Sequence, residues 1–403
     1  MTGRDAVLAF VAAFAVAVLL TPLSARFARR VGAVDQGPAR GLGRPATPRL
    51  GGLAIVAAVL LVAALLLDFS GVTEDRMRGI LAGAALIAVI GALDDRFDLP
   101  PPVKLGGQVV AAVIPVASGV EVSNFTLPFV GAVDLGSAGG PLTVAGLVLV
   151  MNVVNFSDGV DGLAGGICAI SAVAFSVIAF DLDRGHAGVL AAITAGAAAG
   201  FLVHNLPPAR VHMGDSGANV LGLLLGSIAV EGAVKTQAVL ALLFPLVVLA
   251  VPFLDTTFVV LKRVKYGRPV YRGDANHFHH RFSRIGFSQR RTVAYLYAWT
   301  VCLAAFALAL RFVPYSEQGD LDLGWSLVMG LLGVLVLAAS VYLVYVLEIL
   351  KLRRLDAMRV RRVRPHATDA EIDADVAKRL ETGEFQAVAG EEERPTARPQ
   401  AER

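Results

Sequence analysis

The chain has 403 residues, 56% of them hydrophobic and 17% charged, with a mean hydropathy of +0.66. No soluble domain of this length carries so much apolar surface, so composition predicts a polytopic membrane protein. A net charge of +3 says little alone and no nucleic-acid partner is expected; Cys168 and Cys302, both inside apolar runs, offer neither zinc-type spacing nor a disulfide framework.

Eleven apolar runs follow in chain order: Ala6–Leu23, Leu50–Leu67, Gly79–Leu93, Val103–Val120, Leu142–Phe156, Leu163–Phe180, Ala187–Leu206, Ala218–Val230, Ala238–Leu261, Val293–Val313 and Leu323–Ile349. The expected fold is therefore all-α and polytopic, with about eleven transmembrane helices. Residues 1–350 form the integral-membrane domain. Residues 351–403 form a basic juxtamembrane segment and a largely disordered tail, poor in bulky apolar residues.

Basic residues set the orientation. Arg26, Arg29, Arg30, Arg40, Arg44 and Arg49 follow the first span; Lys262, Arg263, Lys265, Arg268 and further arginines follow the ninth; Lys351, Arg353 and Arg354 open the tail. The intervening loops are poor in base, so the N-terminus is placed outside and the C-terminus in the cytoplasm. Within the outer segment Glu121–Gly140, Val120, Val122 and Leu127–Phe129 between glycine-rich ends predict a short hairpin.

On this topology the polar oddities all fall on the cytoplasmic face. The first is Asn152–Gly166, NVVNFSDGVDGLAGG, between the fifth and sixth spans. Asn152, Asn155 and Asp158 are spaced three apart and share one helical face. Asp161 and the series Gly159, Gly162, Gly165 and Gly166 follow, allowing close approach of backbone or ligand. Acids at a bilayer are costly and mark a ligand site more often than a packing clamp.

Asp94 and Asp95 end the third span, and Lys104 opens the fourth just beyond Pro100–Pro102. Adjacent carboxylates repel unless a cation sits nearby, and acids are the wrong sign for a helix C-terminus. Ligands offering only oxygen favour hard Mg²⁺ or Mn²⁺ over zinc. His212–Gly217, HMGDSG, precedes the eighth span. Asp215 or Ser216 is a candidate N-cap there, and the helix start with its glycines is a natural seat for phosphate or metal-phosphate. His277, His279 and His280 beside Arg281 lack zinc spacing and read as an anion-binding loop for a diphosphate. Asp255, after Pro252 in the ninth span, either anchors packing or lines the site. His204 and Asn205 read as helix-end partners.

Together PRLGG (Pro48–Gly52), DDRFD (Asp94–Asp98), the Asn152–Gly166 stretch, HMGDSG and the NHFHHR loop, in this order, resemble the polyprenyl-phosphate N-acetylhexosamine-1-phosphate transferase family over roughly residues 5 to 350. The resemblance implies transfer of a sugar-1-phosphate from a UDP-sugar to a membrane polyprenyl phosphate, with Mg²⁺ as cofactor. It implies that Asp94 and Asp95 are the catalytic acidic pair, one of them organising or deprotonating the lipid phosphate. Asp215 matches the metal ligand, and Asn155 a position that ligates metal or contacts nucleotide. Asp158 and Asp161 match nucleotide-site acids, Lys104 a phosphate-contacting lysine, and His277–Arg281 the sugar-diphosphate loop. Asn152 and His212 complete the expected nucleotide and substrate site, His212 standing where relatives often have Phe. Gly43 and Ala46 replace a His and a Pro usual before PRLGG. Phe278 interrupts the histidines and Arg281 follows them, which is similar to the branch that uses UDP-GlcNAc. The phospho-N-acetylmuramoyl-pentapeptide transferase branch, with contiguous histidines and a following acid, is the alternative. A homodimer is a family expectation. A secondary transporter is the alternative of another class, but transporters place such groups near the midplane on repeated broken helices, and here they gather at one face.

Overall fold

A computed structural model describes residues 1–35, 46–67, 69, 73–127, 131–233, 289–313, 316–317, 320–345 and 371. Ten α-helices lie among these: α1 (Gly3–Val31), α2 (Gly52–Leu66), α3 (Glu74–Phe97), α4 (Pro101–Ala117), α5 (Gly139–Ser157), α6 (Leu163–Asp181), α7 (Gly185–Asn205), α8 (Gly214–Ala233), α9 (Gln289–Phe312) and α10 (Leu323–Tyr345). Each coincides with an expected span. The ninth span with Asp255, the tail apart from residue 371, and His277, His279, His280 and Arg281 lie outside the described residues. Seven of the described helices are long and apolar enough to cross a membrane, and α2 and α4 are shorter apolar helices. The protein is thus a helical, multi-pass membrane protein. The expected hairpin is present as β3 (Asn124–Leu127) paired antiparallel with β4 (Gly131–Asp134), after a two-residue pair β1 (Val34–Asp35) and β2 (Thr47–Pro48).

Small residues bring the helices close. Ala9, Ala13 and Ala17 form a fully buried stripe on α1. On the facing α7, Gly196 and Gly200 lie so near the Phe10 and Phe14 carbonyls that a methyl group would collide with them. Such contacts replace the hydrophobic drive that lipid does not supply. Pro22 in α1 has no N–H for the Val18 carbonyl, and His204 of α7 donates from Nε2 to that oxygen at 3.1 Å. His204 is therefore a helix partner, as its position suggests.

Helix α8 is the hub. It touches α2 through α7, and Val220, Leu221, Leu223, Leu224 and Leu225 are fully buried along it. Helix α9 packs on α6, and α10 packs on α9 with Leu327, Leu331 and Leu335 outward, as a lipid-facing helix requires. Consecutive helices run up and down, so the ends of α1, α3, α5 and α7 meet the starts of α2, α4, α6 and α8. At the opposite end Arg76 pairs with the buried Glu231 at 3.1 Å, and Arg311 pairs with Asp181.

Candidate active site

The site is built where four helix starts meet four helix ends. The PRLGG segment is docked on HMGDSG by backbone pairing. His212 N–H donates to the Pro48 carbonyl (2.8 Å), Gly51 N–H to the His212 carbonyl (3.0 Å) and Gly52 N–H to the Met213 carbonyl (2.8 Å). Gly52 lies against the Gly217 backbone and Gly51 against the Phe201 ring, with no room for a Cβ at either. Gly214 has φ +72° and abuts the Arg49 carbonyl and the Asp95 carboxylate, so only glycine suits this turn.

The adjacent acids Asp94 and Asp95 part company. Asp95 Oδ1 accepts from Asp215 N–H (2.8 Å) and Oδ2 from Ser216 N–H (3.1 Å). The cap of α8 is therefore supplied from α3, and not by Asp215 or Ser216 as the local sequence suggests. The physical reason is charge: a carboxylate satisfies two orphan N–H groups at the positive end of the helix dipole. This leaves the Asp215 side chain for other contacts. Asp94 accepts from Leu99 N–H at 2.8 Å and pairs with Lys104 Nζ at 3.1 Å.

Lys104 also pairs with Asp215 Oδ2, and Asn155 Nδ2 donates to Asp215 Oδ1 at 2.7 Å. Asp94, Lys104, Asp215 and Asn155, from α3, α4, α8 and α5, thus form one polar cluster. Next to it opens a cavity of about 360 Å³ lined by Asp35, Arg49, Asp95, Asp158, Gly159, Val160, Asp161, Asn205, His212, Met213, Gly214 and Asp215. Five carboxylates face one guanidinium and one imidazole in it. Desolvation pushes the Asp158 carboxyl well above the usual carboxylate range, the negative charges of Asp95 and Asp161 add to this, and a hydrogen bond from Gly214 N–H opposes it. Asp161 Oδ2 accepts from Ala209 N–H at 3.0 Å. His212 stands between Asp161 (3.4 Å) and Asp35 (3.7 Å). Asn205 ties the loop ends together, accepting from Gly162 N–H and donating to the Val211 carbonyl, both at 2.9 Å.

The structure therefore brings together Asp94, Asp95, Lys104, Asn155, Asp158, Asp161, His212 and Asp215. Asn152 shares the face of Asn155 and Asp158 as expected, but it does not line the cavity: its amide donates to Gln108 Oε1 and the Val148 carbonyl, both at 2.8 Å. Sequence reasoning missed four residues. Asp35 and Arg49 line the cavity and pair with each other at 3.4 Å. Gln108 and Asn219 are buried beneath it, each four residues from a site residue (Lys104 and Asp215) and so on the same helical face. A polar side chain one turn from a charged one, inside an apolar run, is the signal that finds them.

An acid-lined cavity beside a lysine–carboxylate cluster, at one end of a bundle of membrane-type helices, defines a multi-pass membrane protein with a charged site at that end. The family model described as Glycosyl transferase family 4 matches residues 77–233, which span α3 to α8 and carry most of these side chains. A protein of Bacillus subtilis strain 168, "Probable undecaprenyl-phosphate N-acetylglucosaminyl 1-phosphate transferase", is 34% identical over 307 residues, covering 76% of this chain and 85% of that protein. The "Decaprenyl-phosphate N-acetylglucosaminephosphotransferase" of Mycobacterium tuberculosis strain H37Rv is 36% identical over 331 residues, covering 75% and 82%. The "Phospho-N-acetylmuramoyl-pentapeptide-transferase" of Desulforudis audaxviator is 34% identical over 333 residues, covering 74% and 95%. The chain belongs to glycosyltransferase family 4 and is a membrane transferase.

Proposed function

We propose that this protein transfers N-acetylglucosamine-1-phosphate from UDP-GlcNAc to a membrane polyprenyl phosphate, releasing UMP and forming polyprenyl-diphosphate-GlcNAc. The observation that carries the reading is the Lys104–Asp94–Asp215–Asn155 cluster opening onto an acid-lined cavity, in a chain whose relatives are named for this transfer. The interrupted histidine motif Asn276–Arg281 favours this branch over the pentapeptide transferases.

The chemistry follows from charge. A phosphomonoester's second pKa is about 6, so the attacking lipid phosphate is already ionised and needs little base. The difficulty is to bring two anions together. A phosphate oxygen of the lipid attacks the β-phosphorus of the UDP-sugar, and the bond to the UMP oxygen breaks. Lys104 sits at the junction of α3, α4 and α8, where its ammonium offsets phosphate charge. Asp94 orients that ammonium and the lipid phosphate, while Asp95 keeps the α8 turn in place. Asp158, Asp161 and His212 face the nucleotide.

Five carboxylates around the cavity would repel a diphosphate unless a cation comes with it. The donors are hard oxygens, which fits Mg²⁺ or Mn²⁺. Among the described residues no three His, Cys, Asp or Glu side chains are gathered for an ion, so any such metal would need substrate phosphate to complete its ligands. Asp215 and Asn155 would hold it, and it would screen the diphosphate and stabilise charge on departing UMP. The arginine-rich segments support a site on the cytoplasmic face, with the N-terminus outside.

The test is purified protein with a polyprenyl phosphate and a panel of UDP-sugars, following UMP. Release with UDP-GlcNAc that stops in EDTA and returns with Mg²⁺ supports the proposal. Undiminished release in EDTA removes the metal from it, and no release with any UDP-sugar removes the activity.

A further inference from the structure

Directly beneath the charged cluster the structure repeats the same contact among the same three helices. At the cluster, Lys104 of α4 meets Asp215 of α8, and Asn155 of α5 donates to it. One turn deeper, Gln108 Nε2 of α4 donates to Asn219 Oδ1 of α8 at 2.8 Å, and Asn152 of α5 donates to Gln108 Oε1 at 2.8 Å. Asn219 Nδ2 then donates to the Asp215 carbonyl at 2.9 Å, and Asn152 also donates to the Val148 carbonyl. Three side-chain amides from three helices run in series, from the backbone of α5 to the backbone of the Asp215 turn. Gln108 and Asn219 are each 1% exposed, and none of the three lines the cavity.

A linked chain of side-chain amides in an apolar bundle does something that apolar packing does not. Apolar faces slide and rotate past one another at lower cost, whereas each amide bond between these helices is met at one depth and one rotation only. Because Gln108 is one turn from Lys104 and Asn219 one turn from Asp215, fixing the deeper pair fixes where the ammonium meets the carboxylate. We propose that Gln108, Asn219 and Asn152 are positioning residues: a neutral buried rung that sets the register of α4, α5 and α8 and so holds Lys104 on Asp94 and Asp215. The proposal deepens the transferase reading above, but its geometric content stands without it.

The experiment uses the full-length protein with near-isosteric replacements, Gln108→Met, Asn219→Leu and the two combined. Three quantities are read: UMP release, the thermal unfolding midpoint, and the labelling rate of Lys104 by an amine-acylating reagent, followed by mass spectrometry. Each single variant should lose on the order of tenfold or more in kcat, with KM for UDP-GlcNAc within about twofold, because the cavity is untouched. The double variant should regain part of the unfolding midpoint, because neither Gln108 nor Asn219 is left facing an apolar partner and only Asn152 still lacks its acceptor, yet keep the kcat loss. Lys104 should be labelled several-fold faster in all three. Recovery of kcat together with the midpoint would overturn the proposal, since the rung would then be structural only. A raised KM at unchanged kcat would overturn it by placing the amides in the nucleotide site. Unchanged Lys104 labelling overturns it even if the wild type acts on no UDP-sugar, which separates its failure from that of the proposed function.

Discussion

Two side chains carry the sharpest consequences at the scale of single residues. Lys104 is the ammonium shared by Asp94 and Asp215. Lys104→Gln leaves both carboxylates facing each other and the incoming phosphates. We expect kcat to fall on the order of 100-fold with KM for the UDP-sugar little changed, measured by UMP release. Asp158 is a different case. Its carboxyl is held above the ordinary range by desolvation and by Asp95 and Asp161. The folded state therefore binds a proton more readily than the unfolded chain, and stability falls as pH rises from the unfolded pKa through the folded one. At pH 7.5 without divalent cation, Asp158→Asn should unfold a few degrees above the wild type while losing activity. The wild type should gain more stability than the variant as pH is lowered toward 5. Equal pH dependence of the two unfolding midpoints would contradict this.

At the scale of elements, the start of α8 is held by a carboxylate from another helix. Two N–H groups depend on Asp95. Asp95→Ala should cost about 2 kcal/mol, the upper range for a lost cap, because the freed donors are half-buried. Thermal unfolding checks it, and Asp95→Asn, which keeps an acceptor, should cost less. The local sequence pointed to a cap at Asp215 or Ser216 because cap preferences are read from the same segment. A cap supplied across 120 residues of chain leaves no trace at short range. The spacing of Asn152, Asn155 and Asp158 was legible, since a helix puts such positions on one face whatever it packs against. What each of them meets was not legible. Asn155 reaches Asp215, Asp158 reaches Gly214, and Asn152 turns to Gln108, whose spacing from Lys104 marks its face but not the partner it meets once its helix lies beside α5.

At the scale of the whole molecule, the up-and-down order of the described helices puts their chemistry-bearing segments (Asp94–Lys104, Asn155–Asp161 and His212–Asp215) at one end and the Arg76–Glu231 and Arg311–Asp181 pairs at the other. The arginine-rich loops predict which end faces the cytoplasm. In a Cys302→Ser background, Arg210→Cys at the site end should react with a membrane-impermeant maleimide only after the cells are opened. Ser137→Cys, next to the hairpin, should react in intact cells. The opposite pattern would invert the topology and place the site outside, away from cytoplasmic nucleotide sugars.

The sequence by itself determined the solvent of this protein, the position of its described helices and which segments between them are polar. Hydropathy, basic-residue bias and spacing along a helix are properties of neighbouring residues, and a bilayer enforces them strongly. Only the tertiary structure decided that Asp95 caps α8 while Asp94 holds Lys104, that Asp35 and Arg49 line the cavity, and that an amide rung lies beneath the charged cluster. Those facts depend on how each helix is rotated and how deep it sits against its neighbours. In lipid, small-residue contacts and buried hydrogen bonds set that rotation and depth, and they form only when distant segments meet.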